Sequence, residues 1–334
     1  MPELANPIRP PRLRLGDTIG LVAPAGPCRD RAGLEKGIAI LREMGFRVKF
    51  SPAIHEEADY LAGSDQNRAA DFNSLWADEE VEAILALRGG YGSIRMLAGL
   101  DLALIRHSPK LLIGFSDIGV LLTALLKQCG LVTFHGPMAA TLASSDQESR
   151  LAFFEMLTGE KPAAIAPAEL EILSPGQASG VLLGGNLTTL VHLLATPYEI
   201  SWRQAIVFLE DVNESAYRID RLLTHLQEAG RLNEVAGIIL GGFSPQPVAK
   251  GGDTRLIWRR VLELTGGKIP VWGNFPAGHG PANRILPLGV RVTMDSERGQ
   301  LQFLEAATRD SRPAIPPGAP PPPIATGGPA PASA

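Results

Sequence analysis

The chain has 334 residues, a length typical of two domains. Hydrophobic residues make up 45% and charged residues 20% of the sequence, a composition that supplies a sizeable core and excludes wholesale disorder. The 31 basic and 35 acidic residues give a net charge of −4, so the charge balance offers no reason to expect a nucleic acid or an anionic membrane as partner.

Cysteine usage and the amino-terminal sequence predict a cytoplasmic protein. The two cysteines, Cys28 and Cys129, are too few for a disulfide framework and do not have the spacing of metal ligands. The first residues do not have the pattern of a secretory signal. The longest apolar run, residues 118–126, is far shorter than a membrane span.

Strand and helix signals alternate through the first half of the chain. The predicted strands, each a short apolar run, are residues 18–23, 47–50, 81–87 and 111–115. The predicted helices are residues 34–44, 93–98 and a segment that follows the last of these strands and ends at Gly130. This alternation predicts an α/β fold with a parallel sheet that has helices on both faces.

The second half is predicted to form a separate domain that contains both strands and helices. Its predicted strands are residues 205–209, 237–240 and 290–294, and its clearest amphipathic helix is residues 217–229. Nine prolines fall in the last 28 residues, which therefore predict an extended or disordered tail. The expected organisation is an α/β domain over 13–160, a linker over 161–178, a second domain over 179–306 and a Pro-rich tail over 307–334.

The segment Leu111-Leu-Ile-Gly-Phe-Ser-Asp contains a candidate nucleophile. Ser116 lies where an apolar strand meets a helix, a place from which a hydroxyl can attack while free helix N–H groups stabilise an oxyanion. The pattern is similar to a nucleophile elbow, but position 118 is Ile where that motif has glycine. In such a segment taken alone, Ser116 or Asp117 is more often only a helix cap.

A serine nucleophile needs a base and an orienting acid. Of the six histidines, His279 lies in a glycine-rich loop, where histidine is more often functional than on a core face. His135, near a strand end, is a second candidate. The acid stays open, because Glu210, Asp211 and Glu214 all lie at or after the end of one apolar strand and spacing does not choose among them.

A glycine-rich element, Arg88-Gly-Gly-Tyr-Gly, follows the strand predicted over residues 81–87. Its backbone N–H groups could bind a phosphate, but it has neither the P-loop lysine nor the spacing of a dinucleotide-binding motif. An alternative is that one of its N–H groups joins an oxyanion hole at Ser116.

Six groups of motifs follow one another in the sequence: Arg88-Gly-Gly-Tyr-Gly, Gly114-Phe-Ser-Asp, Phe134-His-Gly-Pro, Gly184-Gly-Asn-Leu, Phe208-Leu-Glu-Asp with Tyr217-Arg-Ile-Asp-Arg, and Gly278-His with Leu286-Pro-Leu-Gly. In this order they resemble the LD-carboxypeptidase family, which includes murein tetrapeptide carboxypeptidases and the microcin C immunity peptidase. The resemblance covers about residues 13–305.

The resemblance implies a flavodoxin-like parallel-sheet domain followed by a smaller β-rich domain. It also implies a serine peptidase with the triad Ser116, Glu210 and His279, which selects Glu210 among the three acids. The oxyanion hole would be formed by the backbone N–H groups of Asp117 and of Gly90, or less surely Gly89. The side chains predicted to bind substrate are Tyr91, Asn186 and His135.

The reaction implied is hydrolysis of an amide between an L-configured centre and a terminal D-amino acid, which releases D-Ala from murein tetrapeptide during cell-wall recycling. The resemblance implies a homodimer and requires no metal or cofactor. An alternative substrate is a microcin-type peptidyl-nucleotide, whose base would stack on an aromatic side chain such as Trp202 or Tyr198. The alternative that is not an enzyme is a peptide-binding protein in which Ser116 serves only as a helix cap.

Overall fold

The computed structural model describes residues 7–159, 164–244 and 254–310. In the first stretch, strands alternate with helices as the sequence predicts. The strands are β1 (Thr18–Val22), β2 (Arg47–Phe50), β3 (Val81–Ala86), β4 (Leu111–Gly114) and β5 (Thr133–His135). The helices are α1 (Arg31–Glu43), α2 (Asp65–Ala77), α3 (Ser93–Met96), α4 (Leu102–His107), α5 (Gly119–Cys129) and α6 (Gln147–Thr158).

The later stretches contain more strands than helices. Their strands are β6 (Glu171–Ser174), β7 (Gln177–Asn186), β8 (Ile206–Val212), β9 (Gly237–Ser244), β10 (Val271–Gly273), β11 (Leu286–Leu288), β12 (Arg291–Asp295) and β13 (Gln300–Phe303). Their helices are α7 (Leu187–His192), α8 (Ala216–Glu228) and α9 (Thr254–Thr265). Within the described ranges, every helix is too short or too polar to cross a membrane.

Two sheets organise the chain, and they confirm the predicted α/β fold class. The first has the order β11-β5-β4-β3-β1-β2, in which β1 to β5 run parallel and β11 is antiparallel to β5. The second has the order β13-β12-β7-β8-β9-β10-β6. Its centre, β7 to β10, is also parallel, so this part of the chain is less purely antiparallel than a β-rich domain suggests.

The structure differs from the predicted domain limits at two strands. β6 falls inside residues 161–178, which the sequence predicts as a linker, yet it pairs antiparallel with β10. As an edge strand it is largely exposed, so it does not have the apolar run by which a buried strand is predicted. β11 falls inside 179–306 but pairs with β5 in the first sheet. The chain therefore crosses between the sheets three times, from β5 to β6, from β10 to β11 and from β11 to β12.

Residues 307–310, predicted as the start of a disordered tail, are packed on the protein. Ala307 and Thr308 are buried, and Asp310 forms ion pairs with Arg12 and Arg14. These contacts fix the end of the second sheet against the amino-terminal segment. The remainder of the predicted tail lies outside the described residues.

The two sheets meet around His135, the last residue of β5. Its ring makes edge-on contacts with Phe115 after β4 and with Phe208 of β8, at 5.8 and 5.0 Å between ring centroids. The side chain is fully buried, and neither ring nitrogen has a hydrogen-bond partner among the described residues. Burial, together with the nearby His279, lowers the pKa of His135 to about 3, so this histidine packs as a neutral aromatic ring.

We expect His135→Phe to make the protein less sensitive to acid. An unfolded histidine takes up a proton near pH 6.5, whereas folded His135 stays neutral down to about pH 3. Between these two pH values the unfolded wild type therefore binds more protons than the folded protein, so the free energy of unfolding decreases as the pH is lowered. Going from pH 7.5 to pH 5 should cost the wild type about 2 kcal/mol more than the variant. Urea unfolding at both pH values measures this; equal losses would contradict the burial of a neutral His135.

Candidate active site

Ser116 lies at the sharp turn between β4 and α5, at the carboxyl end of the first sheet. Its φ is +62°, in the left-handed region that non-glycine residues rarely adopt, at a cost of about 1–3 kcal/mol. Neither Ser116 nor Asp117 provides a side-chain cap for the helix that follows. The interpretation of these residues as caps of that helix is therefore wrong, and the strained turn presents the hydroxyl at the sheet edge where open α/β sheets bind ligands.

The unusual sequence of the turn has a steric explanation. A Cβ on Gly114 would stand 2.6 Å from a methyl carbon of Ile118, closer than carbon atoms pack. Glycine is therefore needed two residues before Ser116, because Ile118 occupies the space beside it. Ile118 is fully buried in the core, which explains why a bulky residue stands where the usual elbow has a second glycine.

The glycine-rich turn after β3 approaches Ser116 closely. A Cβ on Gly89 would stand 2.8 Å from the Cβ and 2.9 Å from the Oγ of Ser116, and 3.5 Å from the backbone nitrogen of Asp117. Gly90, at φ +125°, continues the turn in a conformation open to glycine. Only a residue without a side chain allows this approach, so the turn and the Asp117 nitrogen lie beside the same hydroxyl.

Glu210 lies near the carboxyl end of β8, at a break in register with β9. The pairing shifts between Leu209 and Asp211 and leaves Glu210 out of it, a bulge of the kind that redirects a side chain beside a site. The Glu210 side chain is fully buried, and its Oε2 lies 2.6 Å from Nδ1 of His279. Its Oε1 has no hydrogen-bond partner among the described residues. The buried carboxylate thus holds the imidazole through Nδ1 and fixes the orientation of the ring.

The neighbouring acids have other partners. Asp211 accepts hydrogen bonds from the Asn186 amide and from the backbone N–H and hydroxyl of Thr188. Burial raises the pKa of this carboxyl, which holds the start of α7. Glu214 is paired with Arg218 at 3.4 Å. Among the three acids left open by the sequence, only Glu210 contacts a candidate base.

His279 lies in the loop that connects β10 of the second sheet to β11 of the first. Gly278, at φ +120°, precedes it and donates its backbone N–H to the Asn283 amide oxygen at 3.0 Å. The His279 ring packs edge-on against Phe115, the residue before Ser116, at 4.7 Å between ring centroids. The hydrogen bonds of the described residues do not include one between Ser116 and His279. The loop thus brings the candidate base beside Phe115, the residue before the candidate nucleophile.

The side chains predicted to bind substrate differ in their access to it. Tyr91 is half exposed, and its ring lies 6.0 Å from that of Tyr60, next to the glycine-rich turn. His135 and Asn186 are buried, and the Asn186 side chain bonds to Thr189 and Asp211. Their burial argues against direct substrate contact. Both support neighbours of the site instead.

Two further residues shape the site and were not singled out from the sequence. Phe115 contacts the rings of both His135 and His279. A Cβ on Gly278 would stand 2.9 Å from Oε2 of Glu210, so this glycine leaves room for the acid. Both are immediate neighbours of triad candidates in the sequence, which is the signal that points to them. Over the described ranges, no three or more His, Cys, Asp or Glu side chains are grouped to hold a metal ion.

Two family models match the chain, one for each half. Residues 19–136 match the LD-carboxypeptidase N-terminal domain, and residues 179–294 match the LD-carboxypeptidase C-terminal domain. The two matches contain all three members of the candidate triad.

Individual proteins agree with these models. The "Probable murein peptide carboxypeptidase" of Bacillus subtilis is 38% identical over 296 residues, which cover 86% of this chain and 92% of that protein. The "Microcin C7 self-immunity protein MccF" of Escherichia coli is 28% identical over 337 aligned positions, which cover 90% of this chain and 97% of that protein. A crystal structure of muramoyltetrapeptide carboxypeptidase from Oxalobacter formigenes superposes with a TM-score of 0.73 at 31% identity, covering 86% of this chain and 97% of that one. The chain belongs to the LD-carboxypeptidase family.

Proposed function

We propose that this protein is a serine carboxypeptidase that releases the terminal D-Ala from murein tetrapeptide. Ser116 is the nucleophile, His279 the general base and Glu210 the acid that orients the base. The observation that carries the proposal is the 2.6 Å bond between His279 and the fully buried Glu210, made beside the strained turn that presents Ser116. The murein peptide carboxypeptidases among the similar proteins support the substrate class.

The reaction follows from these positions. His279 takes the proton of the Ser116 hydroxyl as its oxygen attacks the carbonyl carbon between the L-centre of diaminopimelate and D-Ala. Because Nδ1 is hydrogen-bonded to Glu210, Nε2 is the ring nitrogen that accepts the proton of Ser116. The buried carboxylate then stabilises the imidazolium that forms. The backbone N–H groups of Asp117 and of the glycine-rich turn bind the oxyanion.

The tetrahedral intermediate then breaks its bond to the D-Ala nitrogen. His279 returns the proton to that nitrogen, and D-Ala leaves as a free amino acid while the tripeptide stays esterified to Ser116. Water, deprotonated by the same histidine, attacks the ester and regenerates the hydroxyl. All of these steps are proton transfers and acyl transfers, which the three side chains and the backbone donors can perform.

The competing substrate is a peptidyl-nucleotide, favoured by the 28% identity to the microcin self-immunity protein. Recognition of a nucleotide base requires an accessible aromatic ring. Trp202, the first candidate for that role, is 3% exposed and packs in the core, and Tyr198 is half-buried. This burial argues against both side chains as the stacking partner of a base. The cytoplasmic location and the homodimer implied by the family resemblance stay predictions.

Ser116→Ala should abolish D-Ala release and leave the fold intact. Removal of a nucleophile lowers kcat by roughly 10⁴ to 10⁶-fold because the acyl-enzyme cannot form. The assay follows D-Ala released from the tetrapeptide by mass spectrometry, and a parallel assay offers a peptidyl-nucleotide in place of the tetrapeptide. Ser144→Ala, an exposed serine, is the control and should keep full activity. Ser116→Ala activity above a tenth of wild type would remove Ser116 from its role.

Substitution of the adjacent acids Glu210 and Asp211 should have different effects on kcat and on the free energy of unfolding. Glu210→Gln removes the negative charge that stabilises the imidazolium, so kcat should fall about 10³ to 10⁴-fold with a small change in stability. Asp211→Asn weakens the hydrogen bonds at the start of α7, so it should lower the free energy of unfolding by about 1–3 kcal/mol and kcat by less than 10-fold. Full activity of Glu210→Gln, or the reverse pattern, would show that the acid is misassigned.

The two glycines that flank His279 offer a matched pair. A Cβ at residue 278 would stand 2.9 Å from the Glu210 carboxylate at a φ of +120°, whereas at Gly280 the nearest atom is 3.9 Å away. Gly278→Ala should therefore displace the acid or the base and lower kcat about 100-fold, since errors near 1 Å have that effect. Gly280→Ala should stay within about threefold of wild type. Steady-state kinetics on the tetrapeptide decide; equal effects would contradict the close packing at residue 278.

A further inference from the structure

One peptide bond of the glycine-rich turn is held between two buried charges. Arg68 donates from Nη1 to the carbonyl oxygen of Gly92 at 2.9 Å, and the Asp117 carboxylate accepts the N–H of Ser93 at 2.9 Å. This carbonyl and this N–H belong to the same peptide unit. Arg68 is 3% exposed and Asp117 is 5% exposed. The carbonyl oxygen of this peptide unit is therefore hydrogen-bonded to a buried cation, and its N–H is hydrogen-bonded to a buried anion.

The composition of the turn explains why it depends on hydrogen bonds to hold its position. Three of its residues, Gly89, Gly90 and Gly92, are glycines, which have the largest backbone freedom and no side chain to pack. At its first end, the carbonyl oxygen of Gly89 accepts the N–H of Gly26 at 3.2 Å. At its second end, the peptide between Gly92 and Ser93 is the one held by the two charges.

An ordinary helix cap does not account for the arrangement. The helix that begins at Ser93 has four residues, too few for capping to matter much to stability. Burying a guanidinium and a carboxylate is costly unless both are well hydrogen-bonded. Arg68 also donates to the carbonyl oxygen of Pro24 and pairs with Asp65, and burial lowers its pKa although arginine stays charged. The desolvation of these two charges is explained if the Gly92–Ser93 peptide must hold the glycine-rich turn in a fixed position.

We propose that Asp117 and Arg68 are positioning residues that fix the glycine-rich turn relative to Ser116. Asp117 then acts twice: its backbone N–H is one donor of the oxyanion hole, and its side chain holds the turn that carries the other donor. The two halves of the oxyanion hole are linked through this one residue. The inference rests on the proposed function for the identity of the oxyanion.

The test compares Asp117→Asn with Asp117→Ala. An asparagine oxygen can still accept the Ser93 N–H, so Asp117→Asn should lower kcat about 10-fold, and Asp117→Ala about 100-fold, with KM within about threefold of wild type. A role in general stability would not produce this partial rescue at constant KM. Asp101→Asn is the control, because Asp101 accepts a backbone N–H at the start of α4 in the same way and lies outside the site. Its kcat should match wild type.

Two measurements keep the test independent of the peptide substrate and of variant folding. The rate at which a fluorophosphonate labels Ser116 should fall in parallel with kcat, because its phosphoryl oxygen uses the same oxyanion hole. In the wild type, the Ser93 amide should exchange with deuterium at least about 100-fold more slowly than the Tyr91 amide. That second measurement decides if the variants do not fold.

The outcomes are distinct. A folded Asp117→Ala with kcat and labelling rate within twofold of wild type would overturn the proposal, as would fast exchange at Ser93. If the wild type releases no D-Ala while labelling still slows in the Asp117 variants, the substrate assignment fails and the positioning role stands.

Discussion

The hydrogen bond between His279 and Glu210 depends on a loop that connects the second sheet to the first. The loop that carries His279 leaves β10 in the second sheet and enters β11, which pairs with β5 in the first. β5 is in turn the neighbour of β4, whose end carries Ser116. The docking of the three-residue strand β11 therefore places His279 between Glu210 of the second sheet and Phe115, the residue before Ser116, of the first. The buried, neutral ring of His135 packs between Phe115 of the first sheet and Phe208 of the second at that point.

Close packing of glycines sets the remaining distances. Gly89 lets the glycine-rich turn approach Ser116, and Gly278 leaves space for the Glu210 carboxylate. Ser116 itself is held at a positive φ by the strand before it and the helix after it. The positive φ of Ser116 lowers stability, as is common at residues whose geometry must be fixed for function.

Much of this arrangement follows from the sequence. Apolar runs predict β1 to β4 of the first sheet to within one residue, whereas β5 and β11, of three residues each, are too short to be predicted in this way. The order of the motifs selects the family. The helix α2 does not follow so simply, because its buried positions include Arg68 and its apolar pattern is weak. Edge strand β6 is exposed and escapes a search for apolar runs.

The roles of several polar side chains depend on contacts that no local pattern contains. Asp211 and Glu210 are adjacent in the sequence, yet one bonds to the start of α7 and the other to a histidine 69 residues away. His135 and Asn186 lie in family motifs but are buried, so a motif position alone does not distinguish a ligand from a support. Asp117 and Arg68 meet the same peptide from sites 49 residues apart, which only the fold brings together.

The central claim is that Ser116 forms an acyl-enzyme with the tripeptide part of the substrate. Rapid mixing with murein tetrapeptide, acid quenching and mass analysis of the intact protein and of its Ser116 peptide test this directly. The account predicts that D-Ala appears before free tripeptide, with a matching amount of tripeptide esterified to Ser116. Simultaneous release of D-Ala and tripeptide, with Ser116 unmodified at every time point, would contradict it.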